Sequence, residues 1–403
     1  MMMNKPVNKI EQLIEEMCPQ GVEFRALGEV GKVSMCKRIF KNQTSTTGQI
    51  PFYKIGTFGN TPNAFISQEI YDEYRKKFSF PKKGDVLLSA SGTIGRRVIY
   101  DGEPAYFQDS NIIWIDNDES KVLNMFLYYL YSIITWQTEG GTIKRLYNDN
   151  LKKIQIPIPP LTIQKEIVKI LDNFTQLEAE LEAELEARKK QYEHYREELL
   201  SFGDDVEFRT LGEVCGYSES RVDADRLNAK TFIGVDNLLP NKAGKNDASY
   251  TPNTKRLTLY RIGDVLLGNI RPYLKKIWLA DNEGGSSGDV LAIRISEENH
   301  TCLLPEFIYY LLSSDIFFAY DMQHAKGAKM PRGSKEAILN YQIPIPPLSK
   351  QKEIIAILDK FDALVNDIST GLPAEIAARK KQYEYYLNQL LSFKAKGTTD
   401  GHR

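Results

Sequence analysis

Hydrophobic and polar residues follow two different periods along this chain, and both periods return in the same order in its second half. Short runs rich in branched and aromatic residues predict strands: DVLLSA from Asp85, RRVIYD from Arg96 and NIIWID from Asn111, separated by turns of Gly, Asn and Thr. The longest apolar run, Met125 to Trp136, is too short to cross a bilayer, and from Phe126 onward it predicts a buried helix. The Ile-Pro-Ile-Pro-Pro stretch from Ile156 cannot be helical and predicts an extended, stiff joint. Beyond it the period becomes helical. Arg188, Tyr192, Tyr195, Leu199 and Phe202 recur in alternating steps of four and three, the spacing of a coiled-coil seam. Residues 1–21 carry a separate helical stripe in Ile10, Leu13, Ile14 and Met17.

The second half restates these landmarks. IPIPPLTIQKEIVKILDNF from Ile156 returns as IPIPPLSKQKEIIAILDKF from Ile343, and ARKKQYEHYREELLSF, ending at Phe202, returns as ARKKQYEYYLNQLLSF, ending at Phe393. VEFRALGEV from Val22 answers VEFRTLGEV from Val206, GDVLLSASGTIGRR from Gly84 answers GDVLLGNIRPYLKK from Gly263, and FLYYLYS at Phe126 answers FIYYLLS at Phe307. Arg379, Tyr383, Tyr386, Leu390 and Phe393 repeat the seam. Between landmarks the two globular heads share little. The expected architecture is mixed α+β: two heads, each followed by a long helix, with the two helices pairing as an antiparallel coiled coil of pseudo-twofold symmetry. The boundaries read as 1–21 helical segment, 22–155 first head, 156–205 central helix, 206–342 second head, 343–393 distal helix and 394–403 disordered tail. Thr162 and Ser349 stand at the expected helix N-caps, without the acidic or amide partner of a capping box. A break in the distal helix is expected at Gly371-Leu372-Pro373, with Pro373 suited to a new first turn.

With 403 residues, 42% hydrophobic and 11% aromatic, the chain can bury substantial cores. A net charge of -1 gives no global attraction to nucleic acid or membrane, so any DNA-binding surface has to be local. Cys18, Cys36, Cys215 and Cys302 are scattered and form no CxxC pair, which suits a reducing compartment. The polar N-terminus lacks the apolar stretch of a signal peptide, so a soluble cytoplasmic protein is expected.

Catalytic signatures do not emerge. There is no Walker loop, and Ser91 to Gly95 (SGTIG) lacks the third glycine of a dinucleotide fingerprint and reads as a tight turn. The four histidines have no metal-ligand spacing. Positive charge instead collects in the heads, just ahead of both proline joints: Lys144, Arg145, Lys152 and Lys153 in the first, Lys326, Lys329, Arg332 and Lys335 in the second. A further cluster follows Arg261 with Arg271, Lys275 and Lys276. Bases interleaved with Gly, Thr, Asn and Tyr suit phosphate contacts and base-edge hydrogen bonds. The candidate DNA-binding residues are Ser91, Thr93, Arg96, Thr142, Lys144 and Arg145 in the first head, and Asn269, Arg271, Tyr273, Lys275, Lys326, Lys329 and Arg332 in the second. Each cluster alone also fits a solvated loop. An accessory enzyme component and a coiled-coil scaffold that never touches DNA are the competing readings.

The duplicated signature, LGEV entering each head and IPIPPL..QKEI..ILD.F leaving it toward a helix ending ARKKQYE.Y...LLSF, resembles the specificity (S) subunit of type I restriction-modification enzymes. The resemblance implies two target-recognition domains, each reading one half of a split, asymmetric site on double-stranded DNA. It implies helices that dock two methyltransferase (M) subunits, to which two restriction (R) subunits add, with no membrane partner. On that pattern Tyr192, Tyr195, Leu199, Tyr383, Tyr386 and Leu390 are the partner-binding candidates. It also implies no cofactor in this chain: S-adenosylmethionine, ATP and Mg belong to the partner subunits.

One feature lies outside the signature. From Leu177 the helix reads LEAE-LEAE-LEAR, and each four-residue unit adds about 6 Å of helix and a net turn of about 40°, close to the roughly 35° twist of one base pair. A good helix former with solvated glutamates accounts for the composition, while the in-register four-residue step predicts a spacing element.

Overall fold

The computed structural model describes residues 4–139, 144–250, 252, 254–367 and 369–397. It separates into two compact units, residues 1–180 with 377–403 and residues 181–376. In the first unit the order is α1 (Asn4–Met17), β1 (Phe24–Ala26), α2 (Leu27–Val30), β2 (Gly31–Ser34), β3 (Ile50–Tyr53), β4 (Phe65–Ile66), α3 (Gln68–Lys77), β5 (Val86–Ser89), β6 (Arg97–Ile99), β7 (Tyr106–Phe107), β8 (Ile112–Asn117), α4 (Asn124–Ile133), α5 (Asn148–Lys153) and β9 (Gln155–Pro157). Helix α6 (Leu161–Leu199) contributes its residues up to Glu180 to this unit and the remainder to the second.

The second unit continues with β10 (Phe208–Thr210), α7 (Leu211–Val214), β11 (Cys215–Tyr217), β12 (Arg221–Asp223), β13 (Phe232–Ile233), β14 (Arg256–Tyr260), β15 (Val265–Gly268), β16 (Ile277–Leu279), β17 (Gly284–Ser286) and β18 (Val290–Ile295). Then come α8 (Pro305–Leu312), α9 (Asp315–His324), α10 (Lys335–Leu339), β19 (Gln342–Pro344), α11 (Leu348–Asn366) and α12 (Leu372–Leu391), whose residues from Ala377 belong to the first unit.

Each head is built on one four-stranded antiparallel sheet, ordered β2-β8-β5-β6 in the first and β11-β18-β15-β16 in the second. Their central strands are buried on both faces, which is why DVLLSA and NIIWID read as continuous apolar runs instead of alternating ones. Val86 and Leu88 enter one core with Ile113 and Ile115, while Leu87 enters another with Ile112 and Trp114. In the second head Val265 and Leu267 face one core and Leu266 the other. A second sheet, β4-β3-β7 or β12-β14-β17-β13, completes each head.

The entry and exit phrases recur together because they pair. Strands β1 and β9 run antiparallel with Arg25 opposite Ile156, and β10 and β19 repeat this with Arg209 opposite Ile343. One glutamine then fixes each joint. Gln164 is wholly buried, accepts the Leu123 amide at 2.9 Å and donates to the Lys121 and Pro159 carbonyls. Gln351 does the same with Leu304, Cys302 and Pro346. A tyrosine on each head helix donates to an aspartate of the helix beyond the proline joint, Tyr129 of α4 to Asp172 of α6 at 2.6 Å and Tyr310 of α8 to Asp359 of α11 at 2.5 Å.

Four expectations change. Thr162 and Ser349 lie inside the first turns, because the carbonyls of Pro160 and Pro347 accept the first helical amides. Met17 is 45% exposed, off the buried stripe that Ile10 anchors. Lys394 to Lys396, placed in the disordered tail, form a parallel bridge around Val22 with hydrogen bonds of 2.8 and 2.9 Å. The fourth concerns the seam. Within the first unit Phe174 of α6 stacks on Tyr386 of α12 at 5.4 Å and meets Tyr383 at 6.3 Å, while Glu178 pairs with Lys380. These contacts step in opposite directions along the two helices, an antiparallel pairing. Within the second unit Tyr192 and Tyr195 of α6 pack on Phe361 of α11 at 6.1 and 5.5 Å. Tyr192 and Leu390 are 7% and 3% exposed, and Leu199, Tyr383 and Tyr386 pack against the cores. The side chains assigned to partner docking are thus consumed within the chain; Tyr195 alone of the six stays exposed, at 38%. The helix break falls where expected, between Asn366 and Leu372, and a Cβ on Gly371 would meet the Ala363 carbonyl at 2.4 Å.

Candidate nucleic-acid interface

In both heads one arginine of the basic cluster sits in a hairpin-type backbone bridge that folds back over the turn leaving the central strand. In the first head Glu139 and Arg145 exchange backbone hydrogen bonds, Arg145 bridges Ser91, and the Leu146 amide donates to the Ala90 carbonyl. In the second, Lys326 and Arg332 exchange the same bonds, Arg332 bridges Ile270, and the Gly333 amide donates to the Asn269 carbonyl. The strand before the hairpin closes the arrangement identically: Ala90 donates to the Asn111 carbonyl at 2.7 Å, and Asn269 to the Asp289 carbonyl at 2.9 Å.

The turn in the first head is built by Ser89, whose hydroxyl accepts the Arg96 amide and donates to the Thr93 carbonyl. Gly95 has a left-handed φ of 85°, and a Cβ there would lie 2.3 Å from the Trp136 indole nitrogen. Thr93 and Lys144 are exposed, as a DNA-facing role requires. Ser91 is buried and donates to Asn111 at 2.8 Å, and Arg96 donates to the Phe58 carbonyl at 2.7 Å, so both hold the turn. Arg145 donates to Asn111 at 2.9 Å. Thr142 lies outside the described residues. Beside Arg145 opens a cleft lined by Arg38, Phe40, Lys41, Lys54, Gln108 and Asn111, with Phe40 59% exposed. Charge clustering ahead of the proline joints misses this KRIFK run, whose signal is an aromatic set among basic and apolar neighbours in a loop.

In the second head Arg271 and Lys275 both adopt left-handed backbone around a tight turn at Pro272–Leu274. Arg271, Tyr273, Lys326, Lys329 and Arg332 are exposed. Asn269 is not. It is 6% exposed and its side-chain oxygen has no hydrogen-bond partner among the described residues, so it lies beneath the surface and not at it. Lys275 is also withdrawn, pairing with Asp315 at 2.9 Å; Lys242 reaches the same carboxylate at 2.9 Å and Arg196 of α6 approaches to 3.8 Å. Burial pushes the Asp315 carboxyl up, but hydrogen bonds from Lys242 and Lys275 outweigh it and hold it down at about 2. Burial, then the nearby Arg196 charge, pushes the Lys242 ammonium down. Below Asn269 lies Asp321, 1% exposed with neither oxygen hydrogen-bonded among the described residues, and burial pushes it up to about 6. Gly333 packs closely above them: a Cβ there would sit 2.4 Å from an Asp321 oxygen and 2.8 Å from the Asn269 oxygen and would force those side chains to shift.

Among the described residues no group of three His, Cys, Asp or Glu side chains could hold a metal ion, and no helix is long and apolar enough to cross a membrane.

The family model for the type I restriction modification DNA specificity domain matches this chain twice, at residues 19–187 and 203–378. A putative type I restriction enzyme specificity subunit of Haemophilus influenzae is 62% identical over 181 residues, 44% of this chain and 47% of that protein. A type I restriction enzyme specificity subunit of Escherichia coli is 32% identical over 292 residues, 68% of this chain and 72% of that protein. A solved chain from work on complex assembly and conformational transition of the type I restriction-modification system aligns with a TM-score of 0.59 and 15% identity, over 92% of this chain and 97% of its own. The S subunit from M. genitalium aligns with a TM-score of 0.51 and 16% identity, over 92% and 96%. At such identities the structural likeness establishes the fold, and the sequence matches carry the rest: this chain belongs to the type I restriction-modification DNA specificity family.

Proposed function

We propose that this chain selects the DNA site of a type I restriction-modification complex, each head reading one half of a split, asymmetric sequence. The observation that supports this reading most directly is the duplicated basic hairpin. Arg145 and Arg332 occupy the same backbone position over the same strand turn, yet the exposed side chains around them differ, Lys144 and Phe40 in one head against Tyr273 and Lys329 in the other. A common scaffold with divergent tips suits two half-sites of unlike sequence. Phosphate contacts by the exposed lysines position each head, and base-edge contacts supply the discrimination. Two linked readers multiply the selectivity of two short half-sites.

In this reading two methyltransferase subunits dock on the helices, using outward faces such as Lys189, Lys190 and Glu193 of α6 and the 64% exposed Tyr385 of α12, not the buried seam. Restriction subunits add to that core. S-adenosylmethionine, ATP and Mg are then held by the partners, and this chain contributes no catalytic group. Co-expression with the cognate methyltransferase subunits, followed by mapping of methylated bases on a random-sequence plasmid library, tests the proposal. A bipartite motif with an unread spacer is expected. Methylation without sequence preference, or no co-purification of the subunits, overturns it.

A further inference from the structure

The two hairpin arginines are not free cations, and what restrains each one differs between the heads. Arg145 donates through one terminal nitrogen to the Asn111 side-chain oxygen at 2.9 Å. Arg332 donates through the corresponding nitrogen to the Asp289 carboxylate at 3.1 Å. The acceptors are equivalent by backbone register: each immediately precedes the sheet's long strand, β8 or β18, and each gives its carbonyl to the residue that follows the central strand, Ala90 or Asn269. An exposed arginine–carboxylate pair taken alone carries little meaning. The same arginine restrained from the same strand position in two heads that otherwise diverge is a different observation.

We propose that Arg145–Asn111 and Arg332–Asp289 are the base-reading pairs of the two heads, each arginine taking a guanine and each acceptor fixing the preference at the neighbouring base. The inference rests on the DNA-reading function proposed above. An arginine guanidinium matches the O6 and N7 acceptors of guanine through two parallel donors, provided its plane is fixed in advance. One donor on a neighbouring acceptor fixes it and leaves the rest of the fork open. Arg332 has the necessary reach, with 58% of its side chain exposed and Asp289 41% exposed beside it. Asp289 then offers only acceptor oxygens, which suits the amino group of cytosine or adenine. Asn111 differs. Its oxygen is already used by Ser91 and Arg145, so the amide nitrogen is the group left to present, a donor that suits guanine or thymine edges. Ile270, standing where the first head has Ser91, supplies no hydroxyl to the second pair. Ser110, directly before Asn111, holds a left-handed φ of 56° that only a constrained loop retains in a residue with a side chain.

The test is the methylated-base map of the complete complex carrying Arg145→Lys, Arg332→Lys, Asn111→Asp or Asp289→Asn. Lysine keeps the charge that a phosphate contact needs and removes the fork. The proposal expects Arg332→Lys to lose preference for guanine at one position of one half-site, by roughly 5- to 150-fold, with the other half-site intact. Arg145→Lys does the same in the opposite half-site. Asp289→Asn and Asn111→Asp each change the preferred base at one adjacent position. Unchanged motifs in all four variants, or a uniform loss of methylation at every sequence, overturn the assignment while leaving the function standing if the parent complex yields a bipartite motif. A parent complex without such a motif removes the function itself.

Discussion

The side-chain oxygen of Gln351 accepts the backbone amide of Leu304 at 3.0 Å, and the same amide group of Gln351 donates to Cys302 and Pro346. The Leu304 amide and Cys302 carbonyl at the entry to α8 and the Pro346 carbonyl of the proline joint are thereby all satisfied by one wholly buried side chain. Replacing Gln351 with Ala orphans all three, and replacing it with Met keeps the volume while removing the bonds. Both variants are expected to lose roughly 2–4 kcal/mol of stability, since unmet buried groups cost their full desolvation. Chemical denaturation with a probe in the second unit checks this. A Met variant as stable as the parent would show the bonds to be dispensable.

The QKEI signature is visible in the sequence, but its purpose is not. Periodicity finds what a helix buries along its stripe; it is blind to a glutamine whose partners lie 47 and 49 residues away or across a pair of prolines. The same blindness explains the misplaced N-caps. Thr162 and Ser349 resemble caps because caps are usually hydroxyl or acidic residues; here proline carbonyls and the joint glutamine replace them. Strands β5 and β8 are legible because their apolar runs are long and bounded by turn residues, and β15 because it repeats the GDVLL of β5. At the candidate interface, charge counting finds Arg145 and Arg332 but not Asn111 and Asp289, which lie in a different part of each head and carry no local mark.

Phe361 packs on Tyr192 and Tyr195, and Phe174 on Tyr383 and Tyr386. The apolar seam therefore stabilises this chain by itself, whatever docks outside it. Phe361→Ala is expected to destabilise the second unit by about 2–4 kcal/mol, and Phe174→Ala the first. Hydrogen exchange resolved by peptide would read each loss in its own unit; a loss appearing only when methyltransferase subunits are present would return the seam to a docking role.

The four-residue repeat in α6 is a separate matter. Leu181 is 9% exposed, while Glu182, Ala183 and Glu184 are exposed, so this unit places its leucine inward and its charges in water. Removing Leu181 to Glu184 deletes one unit without breaking the pattern, and about 6 Å of helix is lost with about 40° of net phase. The preferred spacer between half-sites is expected to shorten by about one base pair with both half-site sequences retained. Methylation of a panel of sites differing only in spacer length decides it, and an unchanged spacer optimum would make the repeat simple filler.

Two aspartates on α9 respond to pH in opposite senses. Asp315 is held at about 2, below the ordinary 3.8, so the stability it contributes is present above about pH 4 and disappears as pH falls through 2. Asp321 is raised from 3.8 to about 6 because its carboxyl is buried, with no hydrogen-bond partner among the described residues. It binds its proton more tightly in the fold than in the open chain. Its contribution is therefore full below about pH 4 and is lost as pH rises through 6. At neutral pH the buried charge costs up to about 3 kcal/mol. Asp321→Asn removes that charge while keeping the shape beneath Asn269 and Gly333. The stability difference between variant and parent should grow between about pH 4 and pH 6 and then level off. An amide that packs badly shifts the whole difference curve but leaves its shape unchanged, so the slope is the measurement that counts. Denaturant titrations at half-unit pH intervals give that slope, and a difference flat across the window would mean that Asp321 finds a partner once the fold is in solution.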